Sequence, residues 1–292
     1  MPRLPENVPA AIELDTVPFY PQDAYQCGPA TLAMALTWSG LAVTPDELKD
    51  QVYTPSRKGS LQLAMVGATR RRGKIAYQIS DPESIFPEIA AGHPVIILQN
   101  LGLSWLPVWH YAVVIGYDVP EQTVILRSGT TRRKVMSYLL FEKTWARSNH
   151  WGLMVLEPNQ LPVLAKENDY LDSVVVLEKT NHYQAAAIGY QTALTRWPNS
   201  LTSRMGLGYS YYKLGDLKSA ENAFREATHL HPQSAAAHNN LAQVLLEQGR
   251  KQEALATAIK AVALGGPLKL ESEKTLLEIR SERGFKAIDR FP

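Results

Sequence analysis

Apolar and polar positions change rhythm along the chain, and each rhythm predicts a kind of element. Residues 30–38 are almost wholly apolar and close at Gly40, while Pro29 stands where a helix start tolerates a missing N–H, so a helix is predicted over 29–39. Further helices are expected at 45–51 and 60–72, with a short one starting at residue 82. Runs rich in β-branched and aromatic residues, each ending in turn residues, predict strands at 76–79, 94–100, 108–117, 123–127, 133–137 and 151–156. The continuous apolar run at 94–100 is of the buried type. Helices first and strands afterwards predict an α+β domain over 14–160, its antiparallel sheet packed on the 29–39 helix.

Beyond this point the rhythm becomes helical and repeats. With Leu201 as position 1, Leu207, Gly208, Tyr211, Ala220, Phe224, Ala227 and Pro232 fall at positions 7, 8, 11, 20, 24, 27 and 32 of a 34-residue helix–turn–helix unit. A shift of 34 towards the N-terminus registers Tyr170, Leu177, Ala186, Tyr190, Ala193 and Pro198; the opposite shift registers Leu241, Ala242, Leu245, Ala254, Ala258 and Ala261. Three repeats are expected at 167–200, 201–234 and 235–268, closed by a capping helix at 269–284. Small residues at positions 8, 20 and 27 let paired helices approach, so these side chains are core, and an all-α superhelix with a groove for a protein partner follows.

Composition narrows the function. The 292 residues are 45% hydrophobic and 20% charged, enough for two packed domains and unlike a disordered chain. A formal net charge of +2 implies no electrostatic commitment to nucleic acid or to a membrane surface. The basic runs at 70–72 and 132–134 read as solvated faces, or as attractors of an acidic substrate. No apolar run approaches the roughly 18 residues of a membrane span. The Pro-rich lead at 1–13 reads as a tether; if it is the remnant of a trimmed export signal the protein belongs to the cell envelope, otherwise to the cytoplasm. Without a His-Glu-x-x-His, paired cysteines or a Gly-rich phosphate loop, neither a metal nor a nucleotide cofactor is expected.

The chemistry centres on Cys27, the single cysteine. It precedes the first helix in Gln26-Cys27-Gly28-Pro29-Ala30, where the positive end of the helix dipole is expected to favour the thiolate and depress its pKa. Of seven histidines, His110 opens the longest strand and is the preferred base, with His150 second; His93, in Gly92-His93-Pro94, reads as a turn residue. Asp118 lies roughly 26 Å along the strand from His110, at about 3.3 Å per residue, and is too far to orient it. If the hairpin turns near Pro120, the positions opposite His110 are 128–131, where Ser128 and Thr130 offer hydroxyls but no carboxylate or amide stands. A hydroxyl fixes an imidazole tautomer without stabilising imidazolium as a carboxylate does. Gln22, with Gln26 as an alternative, and the Cys27 backbone N–H are the candidate oxyanion donors. Trp105, Trp109 and Trp145 are candidates either for a cleft wall or for the core.

The segments Val17-Pro18-Phe19-Tyr20-Pro21-Gln22, Cys27-Gly28-Pro29-Ala30, Gly92-His93-Pro94-Val95-Ile96 and the run from His110 to Asp118 resemble, in order and spacing, the papain-like cysteine peptidases that process double-glycine leaders of bacteriocins, together with their stand-alone relatives. The resemblance runs through about 14–157. It implies the roles of nucleophile for Cys27, base for His110 and oxyanion donor for Gln22. Glutamine stands five residues before the cysteine where that family usually has six, and Arg127-Ser128-Gly129 stands where an Asp-Pro pair is common. With its helical repeats the chain also resembles a bacterial subfamily, often exported, in which such a domain precedes tetratricopeptide repeats. Two functions remain open from the sequence: a thiol peptidase using Cys27, His110, Gln22 and Ser128 on a peptide or protein substrate, and a retired peptidase fold that binds peptides or scaffolds an assembly.

Overall fold

A computed structural model of the protein describes residues 8–22, 26–57 and 59–281. It divides into two compact units, Met1–Ser173 and Val174–Pro292.

The first unit is built on a sheet of seven strands. In chain order its elements are β1 (Ala11–Glu13), α1 (Cys27–Trp38), α2 (Pro45–Val52), β2 (Tyr53–Thr54), a 3-10 turn (Pro55–Arg57), β3 (Gly59–Ser60), α3 (Gln62–Arg70), β4 (Ile75–Ile79), α4 (Ile85–Ala90), β5 (Val95–Asn100), β6 (Trp109–Asp118), β7 (Thr123–Ser128), β8 (Thr131–Ser137), α5 (Tyr138–Ala146) and β9 (Gly152–Leu156). The order across the sheet is β4-β9-β5-β6-β7-β8, with β1 paired to β6, and every pairing is antiparallel. The α+β fold expected from the sequence is thus the fold observed.

Alternation explains the packing. Ile96 on β5, Tyr111, Val113 and Ile115 on β6, and Leu153 and Val155 on β9 share a core with Leu32, Met34 and Leu36 of α1, Leu48 of α2 and Met65 of α3. The intervening residues, Val95, Ile97, Ala112 and Val114, are equally buried. Helices α4 and α5 lie against β5 and β6 or β7, with Phe86 edge-on to Tyr117 at 4.9 Å and Phe141 5.4 Å from Trp145. A sheet covered on both sides needs central strands that are apolar throughout, which is why β5 lacks the usual alternation.

Several elements depart from the sequence expectations. Of the lead at 1–13, residues 1–7 lie outside the described residues, but Ala11–Glu13 pair with Gly116–Asp118 and so belong to the sheet. The helix expected from 60 begins at Gln62, because Gly59 and Ser60 pair with Thr54 and Tyr53 in a small hairpin. The helix expected from 82 begins at Ile85: Asp81 accepts from Glu83 N at 3.0 Å and Ser84 Oγ at 2.6 Å, a local turn that delays the first helical residue. Helix α5 was not among the expected elements, although Tyr138, Phe141 and Trp145 stand at helical spacing behind Ser137, an N-cap that makes no side-chain bond.

The second unit is helical. Elements α6 (Glu167–Lys179), α7 (Tyr183–Arg196), α8 (Leu201–Lys213), α9 (Leu217–Leu230), α10 (Ala235–Glu247), α11 (Lys251–Leu264) and α12 (Lys269–Arg280) follow one another, and the division between units falls within α6. The starts of α6, α8, α10 and α12, and those of α7, α9 and α11, are spaced by the 34 residues of the sequence period. Of the expected capping segment, residues 282–284 lie outside the described residues. Ser200, Asp216 and Ser234 cap α8, α9 and α10 by accepting from the N–H three residues on. A Cβ on Gly208 would come within 2.6 Å of the Phe224 ring, so the small residue is what lets α8 and α9 close on each other. Among the described residues no helix is long and apolar enough to cross a membrane.

Candidate active site

Helix α1 starts at Cys27, with Gln26 at the N-cap making no side-chain cap bond. The Thr31 hydroxyl donates to the carbonyl oxygens of Cys27 and Gly28, at 2.7 and 3.1 Å, and fixes the first turn. A Cβ on Gly28 would lie 2.1 Å from Ser60 Oγ, so glycine is required for the β2–β3 hairpin to close against the helix start. Strand β6 supplies His110, in register with Gln99 of β5. His110 Nε2 lies 2.9 Å from Ser128 Oγ at the end of β7, the hydroxyl that the hairpin places across from it. Its other nitrogen, Nδ1, remains for the cleft.

Gln22 reaches the same place by a different route. Arg127, buried in β7, donates through Nε and Nη2 to the Val17 carbonyl at 3.2 and 3.0 Å, and through Nη1 to Arg132 O at 2.7 Å. The Gln22 N–H then donates to Gly129 O at 3.1 Å. Both contacts tie the segment ahead of α1 to the β7–β8 turn. The Gln22 amide is buried, and neither its oxygen nor its nitrogen has a hydrogen-bond partner. Buried polar atoms in native folds are nearly always paired, so an amide left open marks a place for a ligand atom.

Gln22, Cys27 and His110 line one cleft of about 950 Å³, with Ser60, Tyr111 and Trp109 among the other lining residues. Among the described residues, Arg57 and Arg147 are the charged members of that lining, and no carboxylate is among them. Arg147 donates to Asn100 O at 3.1 Å, and Asn100 Oδ1 accepts from Gly102 N and Val108 N, so the arm between β5 and β6 is braced at its base. That arm exposes Leu103, Trp105 and Leu106.

The electrostatics correct one expectation. Burial is the largest influence on the Cys27 thiol and raises its pKa above the ordinary 9.0, although the backbone N–H groups of Tyr111, Gly28 and Cys27 pull the other way. The helix-start N–H groups pull the pKa down as the sequence suggested, but burial outweighs them and the net shift is upward. Burial likewise lowers His110, to about 4, and the positive charge of Lys134 adds to the shift. At neutral pH the resting pair is thiol and neutral imidazole. No hydrogen bond joins Cys27 to His110, yet Tyr111, the residue after His110, presents its N–H to the thiol, so the two side chains flank one point on β6.

The remaining candidates separate. His150 pairs through Nε2 with Glu142 at 3.0 Å and stacks edge-on against Trp145, away from the cleft lining. His93 is buried against Glu88 at 2.8 Å. Gln26 does not line the cleft. Asp118 accepts from the Glu121 N–H at 3.0 Å, at the end of β6 opposite to His110. Trp109 lines the cleft, Trp145 is core, and Trp105 is exposed on the arm. Sequence reasoning missed Ser60, Tyr111 and Arg127, whose importance comes from cross-strand and hairpin contacts rather than from any local pattern. Among the described residues no group of three or more His, Cys, Asp or Glu gathers as metal ligands do.

A helix beginning at a cysteine, laid on an antiparallel sheet whose central strand carries a histidine near its start, is the arrangement of the papain-like fold class. Residues 14–152 match the model of the Peptidase_C39 like family, and residues 171–221 and 205–267 match that of a tetratricopeptide repeat. The protein therefore carries a segment similar to the C39-like peptidase family, followed by one similar to tetratricopeptide repeats. No curated protein shows a significant match. Among solved structures, a C39-like peptidase from Bacillus anthracis is similar, with 18% identity and TM-score 0.43 over 50% of this chain and 97% of that one. The Yersinia enterocolitica type III secretion chaperone SycD, in complex with a peptide of the translocator YopD, is similar with 15% identity and TM-score 0.38 over 40% of this chain and 96% of that one. The first repeat domain of Spaghetti (RPAP3), bound to an HSP90 peptide, shows 16% identity and TM-score 0.37 over 40% and 95%.

Proposed function

We propose that the protein is a cysteine peptidase acting through Cys27 and His110. The open Gln22 amide, lining the same cleft as the thiol and the imidazole, is the observation that carries this reading. His110 takes the proton from the Cys27 thiol as sulfur attacks the peptide carbonyl carbon. Gln22 Nε2 and the Cys27 N–H donate to the oxyanion that forms. The imidazolium returns its proton to the departing amine as the C–N bond breaks, leaving a thioester. Water, deprotonated by the same imidazole, attacks the thioester and releases the carboxylic acid and the thiol. Ser128 holds the ring through Nε2, which directs Nδ1 to the proton in transit. The repeats are assigned the task of holding a protein substrate or partner.

Because the resting pair is neutral, activation belongs to the encounter with substrate, when a hydrogen bond absent from the free protein is made. Two measurements test this. Hydrolysis of peptides with small residues before the scissile bond is abolished in Cys27→Ala and falls by about 10²–10⁴ in His110→Ala; cleavage that survives Cys27→Ala sinks the mechanism. In the free protein, the rate of Cys27 alkylation by iodoacetamide is expected to keep rising beyond pH 9.0, since the thiol titrates above that value.

The raised thiol pKa and the hydroxyl at Ser128 favour one competing reading, a peptide-binding scaffold on a retired peptidase fold. It requires that peptides bind equally well to the wild type and to Cys27→Ala, and that neither cleaves them.

A further inference from the structure

Three described residues of the first unit carry buried side-chain polar atoms with no partner: Gln22, Ser60 and Arg70. Two of the three line the Cys27 cleft. Ser60 ends β3, and its backbone is held in place by the Tyr111 hydroxyl, which donates to Ser60 O at 3.1 Å. Tyr111 is also the residue whose N–H faces the thiol, so one residue of β6 reaches the hairpin with its hydroxyl and Cys27 with its backbone. Ser60 Oγ packs against Gly28 so closely that a Cβ there would meet it at 2.1 Å. The hydroxyl thus adjoins Gly28, in the first turn of the helix whose Cys27 and Gly28 N–H groups face the thiol. No hydrogen bond of the fold uses it.

We propose that Ser60 Oγ–H is a further donor to the carbonyl oxygen of the substrate, engaged when Cys27 adds to the carbonyl carbon and negative charge builds on that oxygen. The hairpin then contributes a third donor beside Gln22 Nε2 and the Cys27 N–H, delivered by a rotation about the Ser60 Cα–Cβ bond. No proton is transferred. This rests on the reading of Cys27 as the attacking nucleophile, and it assigns to the hairpin a function beyond covering the helix start.

The test uses the full chain and the aldehyde N-acetyl-glycyl-glycinal, which adds reversibly to a thiol and places an oxygen where the oxyanion forms. Its affinity is read from protection of Cys27 against iodoacetamide. In Ser60→Ala the affinity is expected to fall on the order of 100-fold, the size of effect seen when one oxyanion donor is removed. The iodoacetamide rate without aldehyde is expected to stay within about twofold, because alkylation builds no oxyanion. The melting temperature is expected not to fall, since the variant removes a buried hydroxyl that lacked a partner. Ser60→Gly, which removes the Cβ as well as the hydroxyl, is expected to show the same loss. Equal aldehyde affinity in wild type and both variants overturns the role of Ser60 while leaving thiol attack intact. A lowered melting temperature with a parallel loss of alkylation overturns it too, by showing a structural residue. A wild-type protein that is alkylated but never protected by the aldehyde overturns the nucleophile reading and this inference together, and is told apart by the wild type alone.

Discussion

At the scale of single residues, the site depends on how neutral groups are held before charge appears. His110 must be neutral to act as base, and with its pKa near 4 it is neutral throughout the physiological range. It gains a proton as pH falls through about 4, so kcat/KM is expected to lose activity along an acid limb centred there. Ser128→Asp would set a carboxylate against Nε2, stabilise imidazolium and move that acid limb to higher pH; an unmoved limb would show that Ser128 does not govern the ring. Gln22→Ala is expected to lower kcat about 10²–10³-fold with little change in KM, because its amide meets an oxygen that is charged only in the transition state. Since that amide has no partner in the free protein, the same variant should not lower the urea midpoint of unfolding.

At the scale of elements, closeness between pieces distant in sequence decides what the chain shows on its face. The helix at Cys27, the apolar strand β5 and the His110 strand were legible because proline placement, β-branched runs and glycine stops are local signals. The β1 strand was not, for Ala11–Glu13 is too short to carry a period and is a strand only by virtue of pairing with β6. Hairpin β2–β3 was likewise hidden, and with it Ser60, whose place follows from Gly28 and Tyr111 rather than from its neighbours. Cys27, His110, Ser128 and Gln22, the residues proposed to work in the cleft, were singled out by motif and register. The sign of the Cys27 shift was not, because desolvation depends on the packing around the thiol and leaves no mark in the sequence. Gly28→Ala is expected to cost about 1–3 kcal/mol by urea denaturation, as an overpacked contact does. Adding Ser60→Gly to it should recover part of that loss, a non-additivity expected only of residues in contact.

At the scale of the whole molecule, the two units rest on separate principles: a sheet covered on both sides in one, and paired helices in 34-residue steps in the other. Gly208→Val, which drives a side chain into Phe224, is expected to lower stability by about 1–3 kcal/mol in thermal melts while leaving the cleft residues, and hydrolysis of short peptides, unchanged. Loss of peptide hydrolysis in a variant that remains folded would show that the repeats take part in the chemistry. The single cysteine has a consequence of another kind. Peroxide oxidises thiolates, not thiols, and a cysteine kept protonated by its surroundings is a slow target. With no second cysteine in the chain to resolve a sulfenic acid, an early oxidation event would have no internal route back. On the proposed mechanism, the protonated resting state of Cys27 acts as a safeguard, keeping its sulfur chemically quiet until a substrate carbonyl is in place.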